Sequence, residues 1–282
     1  MHRRAPYLFF ALSAVPVGCS LVTNLDGLSG GGDRVLDGSL DTTSTTTADS
    51  STDAAPTDGT GRSETSSKLP AGLIAYWHFE NDSVDATGDP MHRFQLLGTA
   101  GFTAGIMGRG LDCPQGAQAD VNMVALGASD MTFVAWVEVQ GIASQLRTIF
   151  SKGGDWTNSI DKGPGVGLGF LDNSKQLQGY TADGTTWRGF AAPSTPSFDD
   201  AAFHMVAFVV DRAQGLATYL DGVLVGAGTA SATSFASTKP LSLCNGGAHG
   251  LRGVIDEVML FGRALTAAEI MTVKTSVQPG GG

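Results

Sequence analysis

Basic residues are scarce in this chain. There are 17 Lys and Arg against 27 Asp and Glu, a net charge of −10 at pH 7, and nowhere do the cations gather into a patch. That argues against nucleic acid as a partner, because phosphate neutralisation needs clustered positive charge. Much of the acidity lies before Lys68, so the remainder is only mildly acidic, and acidity of this size favours solubility without naming a partner. Cysteine is scarce too: Cys19, Cys113 and Cys244 are all there are, with no nearby His pairs to make a zinc site. P-loop, Rossmann and G-x-S-x-G patterns are all missing. Phosphate-cradling, dinucleotide and nucleophile-elbow chemistry are left without support. No internal repeat is present, and helical periodicity is missing from most of the chain.

The first 19 residues read as a targeting segment. Arg3 and Arg4 supply a positive start, and Ala5 to Val17 is apolar but too short to span a bilayer as a stable anchor. The segment ends in Pro16-Val17-Gly18-Cys19, which resembles the bacterial lipoprotein signal, in which the Cys becomes the lipidated first residue of the mature chain. Pro16 stands where that pattern usually carries an aliphatic residue. An ordinary secretory signal cut nearby is the alternative, and both export the protein. Ser20, where inner-membrane lipoproteins often carry Asp, implies an outer-membrane or cell-surface destination. Residues 20–68 are then dominated by Ser, Thr, Asp and Gly, with the run Asp41 to Thr47 at their centre. They cannot bury a core and are expected to form a disordered tether. A flexible coil of about 50 residues has an end-to-end distance of roughly 40 Å.

From residue 69 to about 278 the pattern becomes that of one folded domain. Phe203 to Gly226 alternates apolar and polar, His204, Val206, Phe208 and Val210 on one side and Met205, Ala207 and Val209 on the other, which predicts a half-buried strand. A turn at residues 212–215 and Asp221-Gly222 make it the first strand of a three-stranded meander. Leu73–Phe79 reads as the first strand of the domain. Further short strands are expected near residues 94–97, 110–113, 120–126, 131–139, 146–151, 166–171, 176–181, 186–191, 241–243 and 253–261. Many short strands with Gly-rich turns point to an all-β sandwich. One helix is predicted, from about Ala267 to Thr275, with Thr266 and Glu269 as its capping box and Leu265 stapled onto Ile270. Cys113 and Cys244 form an even remainder in an exported chain, which suggests a disulfide. Two buried free thiols on neighbouring strands are the alternative.

Several segments, taken in order, resemble the laminin-G-like domains of the concanavalin A-like lectin/glucanase superfamily. They are Ile74-Ala75-Tyr76-Trp77-His78-Phe79, Gly108-Arg109-Gly110-Leu111-Asp112, Met131 to Val137, Ile149 to Gly154, the meander, Gly253 to Val258, and Gly262-Arg263-Ala264-Leu265-Thr266. The resemblance implies a jelly roll of two antiparallel sheets, one of them concave, with the meander beside Met131–Val139 and Gly253–Phe261. It also implies a structural calcium near these motifs. The Asp82-to-Asp89 loop, through Asp85, and Asp256 are the expected donors, since calcium takes carboxylate and carbonyl oxygens in irregular loops. Plain loop hydrogen bonding is the competing account of the same residues.

The glucanases of the superfamily carry their acids along one strand as Glu-x-Asp-x-x-Glu. The nearest match, Glu80-Asn81-Asp82-Ser83-Val84-Asp85, ends in Asp and runs into a Gly/Pro loop. Asp256 and Glu257 are adjacent, so on a regular strand they face opposite ways and cannot form a retaining pair. His204 and Asp211 are expected to be scaffold. For glycan binding, Trp77 and Trp136 read as core. Trp156, between Asp155 and Asn158, is the best exposed aromatic, followed by Tyr180, Trp187 and Arg188. The expectation is a non-enzymatic, lipid-anchored surface protein that binds a polysaccharide or another surface protein. A glycoside hydrolase of the same superfamily and a structural or adhesion component of the envelope are the alternatives.

Overall fold

The structure is a computed structural model, and it describes residues 69–127, 129–140, 146–153, 163–171, 176–192, 200–229, 234–246 and 249–277. The expected signal segment with Cys19, the tether 20–68, and Trp156 lie outside the described residues. In chain order the strands are β1 (Leu73–Trp77), β2 (Gln95–Leu97), β3 (Gly101–Ala104), β4 (Arg109–Cys113), β5 (Gln118–Val121), β6 (Met131–Val139), β7 (Leu146–Gly153) and β8 (Pro164–Leu171). They continue as β9 (Gln176–Asp183), β10 (Trp187–Ala191), β11 (Phe203–Asp211), β12 (Gly215–Leu220), β13 (Val223–Gly228), β14 (Leu241–Leu243) and β15 (Gly253–Phe261). A helix, α1 (Ala267–Ser276), follows them.

The strands form two antiparallel sheets. An eight-stranded sheet runs β13-β12-β11-β6-β15-β4-β3, with β1 also paired to β15, and a seven-stranded sheet runs β10-β9-β8-β7-β14-β5-β2. The meander β11-β12-β13 sits beside β6 with β15 next in line, as the resemblance implied. Between the sheets lies a core in which Phe133 of β6 stacks on Phe150 of β7 at 3.9 Å and Phe208 of β11 packs nearby. The disulfide Cys113–Cys244 joins the end of β4 in one sheet to the residue after β14 in the other, with Cα atoms 5.4 Å apart. It therefore staples the two layers, and both cysteines are fully buried in the core. The alternative of two free thiols does not hold.

Three expectations change. β11 is buried on both faces: Val206, Phe208 and Val210 enter the inter-sheet core, while Met205, Ala207 and Val209 join a second apolar cluster on the outside of the eight-stranded sheet. That second cluster exists because α1 lies there and contributes Ile270 and Val273. The apolar residues at both parities of β11 were the signal for it. The first strand ends at Trp77, because Phe79 and Asn81 turn into the left-handed region at φ 58° and 61°. A strand not expected from the sequence, β3, adds the edge beyond β4.

Helix α1 is held at both ends. Thr266 and Glu269 form the predicted capping box, and Arg263 bridges to Glu269 at 2.6 Å. Thr132 of β6 donates to the Arg263 carbonyl and accepts from the Leu265 N–H, both at 2.9 Å. At the other end Lys274 Nζ donates to the Asp221 carbonyl at 2.8 Å.

Candidate functional site

The outer face of the seven-stranded sheet has a different chemistry from every other surface that the strands define. Side chains alternate across a strand, so the inward residues identify the outward ones. In β8, Val166, Leu168 and Phe170 enter the core, which leaves Gly165, Gly167 and Gly169 outside. In β5, Ala119 and Val121 point in and Gln118 and Asp120 point out; in β14, Leu241 and Leu243 point in and Ser242 points out. Register aligns these outward positions into one row across all seven strands: Gln95, Asp120, Ser242, Ser151, Gly167, Tyr180 and Gly189. Neighbouring strands are about 4.8 Å apart, so Asp120, Ser242 and Ser151 present a carboxylate and two hydroxyls at that interval. Gln118 Nε2 donates to both oxygens of Asp120, at 2.9 and 2.8 Å. The hydroxyls of Ser151 and Ser242 have no hydrogen-bond partner among the described residues. A row of this kind can accept from and donate to a polyhydroxylated ligand laid across the strands.

The expected aromatic contacts flank this row. Tyr180 faces outward but is fully buried, its hydroxyl donating to the Gly153 carbonyl at 3.0 Å. Its ring leans across β8, where a Cβ on Gly167 would meet it at 2.6 Å. Trp187 stacks on Tyr180 with centroids 6.1 Å apart and planes at 13°. It is partly exposed, so Trp187 is the member of the pair that can offer a surface while Tyr180 holds it in place. Arg188 is exposed on the edge strand β10 but pairs with Thr181, an inward position, and so leaves the strand on the side opposite Trp187.

The expected calcium donors are not brought together. Asp85 is buried and accepts four hydrogen bonds: from Tyr76 N–H (2.8 Å), Thr87 N–H (2.9 Å), Thr87 Oγ1 (2.7 Å) and His92 Nδ1 (3.0 Å). A carboxylate has about four acceptor sites, so this one is fully engaged in ordering its loop. Asp256 shares no partner with it. It accepts from Met107 N–H at 3.1 Å and Glu257 N–H at 2.8 Å. Burial pushes its pKa up to about 8, the charges of Glu257 and Glu80 acting in the same direction and the two N–H donors against them. Among the described residues no group of three or more His, Cys, Asp or Glu has the geometry to hold a metal ion.

The Asp256–Glu257 pair also departs from a regular strand. The register of β15 slips between Asp256 and Met259, and Glu257 adopts φ 49°. This bulge leaves Ile255 and Val258 in the inter-sheet core and turns both acids outward, where Glu257 takes the Tyr76 hydroxyl and His78 Nδ1. The expectation that the two acids face opposite ways fails because one extra residue is inserted between inward positions. Glu80 lies apart from any strand and accepts from the Arg109 N–H at 3.0 Å.

His204 is scaffold. It bridges Asp221 at 2.7 Å and Asp200 at 3.1 Å, while Asp211 instead caps its own turn through the Ala213 and Gln214 N–H groups. Burial alone would lower the His204 pKa, but the two aspartates outweigh it and hold it above the ordinary value. Asp221 also accepts the Met205 N–H at 3.0 Å, so this cluster locks the meander turn beneath α1.

The candidate residues of this row that sequence reasoning missed are Gln95, Gln118, Asp120, Ser151 and Ser242. A usable signal was present: Ala119-Asp120-Val121, Phe150-Ser151 and Leu241-Ser242-Leu243 each place a small or polar residue between or beside core positions. Only cross-strand register, which the sequence does not display, gathers them.

Two antiparallel sheets, a short capping helix and one polar sheet face define a jelly-roll sandwich of the lectin-like kind. Residues 114–271, more than half of the chain, match the laminin G family of the concanavalin A-like lectin/glucanases superfamily. The chain belongs to that family. Among solved structures it is similar to domain 4 of AbnA, an extracellular arabinanase from Geobacillus stearothermophilus in complex with arabinotriose. The identity is 18% over 73% of this chain and 98% of that one, with a TM-score of 0.56. It is similar to the binding domain of Paraclostridial Mosquitocidal Protein 1, at 13% identity, 73% and 52% coverage and a TM-score of 0.59. The binding domain of botulinum neurotoxin DC in complex with SialylT matches at 12% identity, 74% and 52% coverage and a TM-score of 0.56. The chain spans about half the length of these toxin binding domains. At these identities the likeness is one of fold. No curated protein sequence matches the chain.

Proposed function

We propose that this chain is a non-catalytic, lipid-anchored surface protein whose jelly roll binds carbohydrate on the outer face of the seven-stranded sheet. The observation that carries the reading is the row Asp120–Ser242–Ser151, polar side chains aligned by register on one sheet face, with Asp120 and Ser151 partly exposed and Ser242 buried between them. Solved neighbours captured with arabinotriose and with SialylT support carbohydrate as the ligand class. Retaining hydrolysis needs two carboxyl groups about 5–5.5 Å apart, whereas the described strand residues of this face include one carboxylate, Asp120. That favours binding over turnover. Export through Cys19 rests on the targeting segment, and the disulfide supports it, because such bonds persist in oxidising compartments. The outer membrane or cell surface is the proposed destination.

Calcium belongs to the same proposal at Asp256. A buried carboxyl is one that a cation would stabilise, with backbone carbonyls and water, and no further described carboxylate, completing an oxygen shell. Asp85, already saturated, takes no part.

A glycan array tests the central reading. Wild type binds a defined set of oligosaccharides, and Ser151→Trp, which fills the row, abolishes that binding without lowering the melting temperature. Binding that survives Ser151→Trp but is lost in Trp156→Ala moves the site off the sheet face. No glycan binding at all, with co-purification of an envelope protein, replaces the reading by a structural role.

A further inference from the structure

We infer that the glycan taken by this face is a neutral one, and that Asp120 is the residue that sets this selectivity; the inference rests on the carbohydrate-binding reading above. Asp120 is the one charged side chain among the described strand residues of the face. Among the described residues its carboxylate accepts from a single group, the Gln118 amide. About four acceptor sites exist on a carboxylate, so capacity remains for sugar hydroxyls, beside the hydroxyls of Ser242 and Ser151 in the same row, which have no partner among the described residues.

Among the described strand residues of the face, no cation can pair with an acidic sugar. Lys152 and Arg147 of β7 pair with the inward residues Val166 and Phe170. Lys152 Nζ donates to the Lys239 carbonyl at 2.6 Å, and Arg147 reaches the Gly250 carbonyl at 3.1 Å. Arg188 leaves β10 on the other side. A uronate or sialate carboxylate laid along the row would therefore meet Asp120 with no cation of the described strand residues to neutralise either charge, and like-charge juxtaposition is a strong element of rejection. A neutral chain meets only donors and acceptors. The strand interval of about 4.8 Å is close to the length of one sugar unit, so successive units of an extended chain would meet successive strands.

Calorimetric titration with arabinotetraose, xylotetraose and cellotetraose, set against tetragalacturonate and sialyllactose, tests this on the full chain. At least one neutral tetraose is expected to bind and neither acidic oligosaccharide. Asp120→Asn, which keeps the shape and removes the charge, should weaken the neutral ligand about tenfold, since a charge-assisted hydrogen bond becomes a neutral one, with an unchanged melting temperature. Tetragalacturonate or sialyllactose binding as tightly as the best neutral sugar overturns the inference and leaves carbohydrate binding standing. Undiminished neutral-sugar binding by Asp120→Asn does the same. If no oligosaccharide of either class binds, this inference and the proposed function fall together.

Discussion

The two sheets turn opposite chemistries outward. Outside the eight-stranded sheet, Val134, Trp136, Met205, Ala207 and Met259 are buried under α1 through Ile270 and Val273. Outside the seven-stranded sheet, the same strand parity carries Gly, Ser, Gln and Asp together with the buried Tyr180 and the partly exposed Trp187. Both sheets share one core, so the contrast does not come from folding the sandwich itself. A sheet that seals both faces gains apolar burial on both, at about 25 cal/mol per Å². A sheet that leaves glycine and serine on one face forgoes that gain. A cleft of about 400 Å³ does open on the sealed side, between the β12–β13 hairpin and the start of α1. Its lining of Val209, Ala217, Tyr219, Leu224 and Leu265 is apolar, with Asp211 and Gln214 among few polar groups. Aligned hydroxyls and a carboxylate are found on the other side.

Mutations separate the two faces. Reducing the disulfide, or replacing both cysteines with Ser, unpins both faces at once and should cost about 4 kcal/mol, read as a fall in the denaturation midpoint. On the sealed face Ile270→Ala should cost about 3 kcal/mol, visible by urea unfolding. A loss below about 1 kcal/mol would mean that α1 does not seal the sheet. Thr266→Ala removes the cap of that helix and should cost about 1 kcal/mol. On the polar face Ser242→Ala and Ser151→Ala should each stay within about 0.5 kcal/mol of wild type while weakening glycan binding.

Asp256 offers a pH test on the sealed side. Its folded pKa of about 8 stands above the value of about 3.9 in an unfolded chain. Between those values the native state holds a proton that the unfolded state releases, so in chelator stability should fall as pH rises from about 4 to about 8 and then level off. Asp256→Asn should flatten that slope. Added calcium should raise the melting temperature of wild type above pH 7 and leave Asp256→Asn unmoved; identical wild-type curves with calcium and with chelator would remove calcium from the account.

The strands were legible from period-two alternation, and α1 from Thr266 and Glu269, because these signals are local. The meander could be placed only through the family resemblance, which put it beside β6. The strand β3 was not legible: Gly101-Phe102-Thr103-Ala104 is short, half-exposed and without strong alternation. Nor was the bulge at Glu257, since a positive φ at a glutamate has no sequence mark. The polar row was the least visible. Gln118, Asp120, Ser151 and Ser242 are unremarkable one at a time, and their meaning comes from pairings between residues far apart in the chain.

The most direct test of the contrast is a backbone-amide NMR titration with the tightest-binding oligosaccharide. The shifts should cluster at Asp120, Ser242, Ser151 and Gly167 and leave α1 and the Asp256 bulge unchanged. Shifts confined to α1 or to residues 105–109, with the row silent, would contradict it.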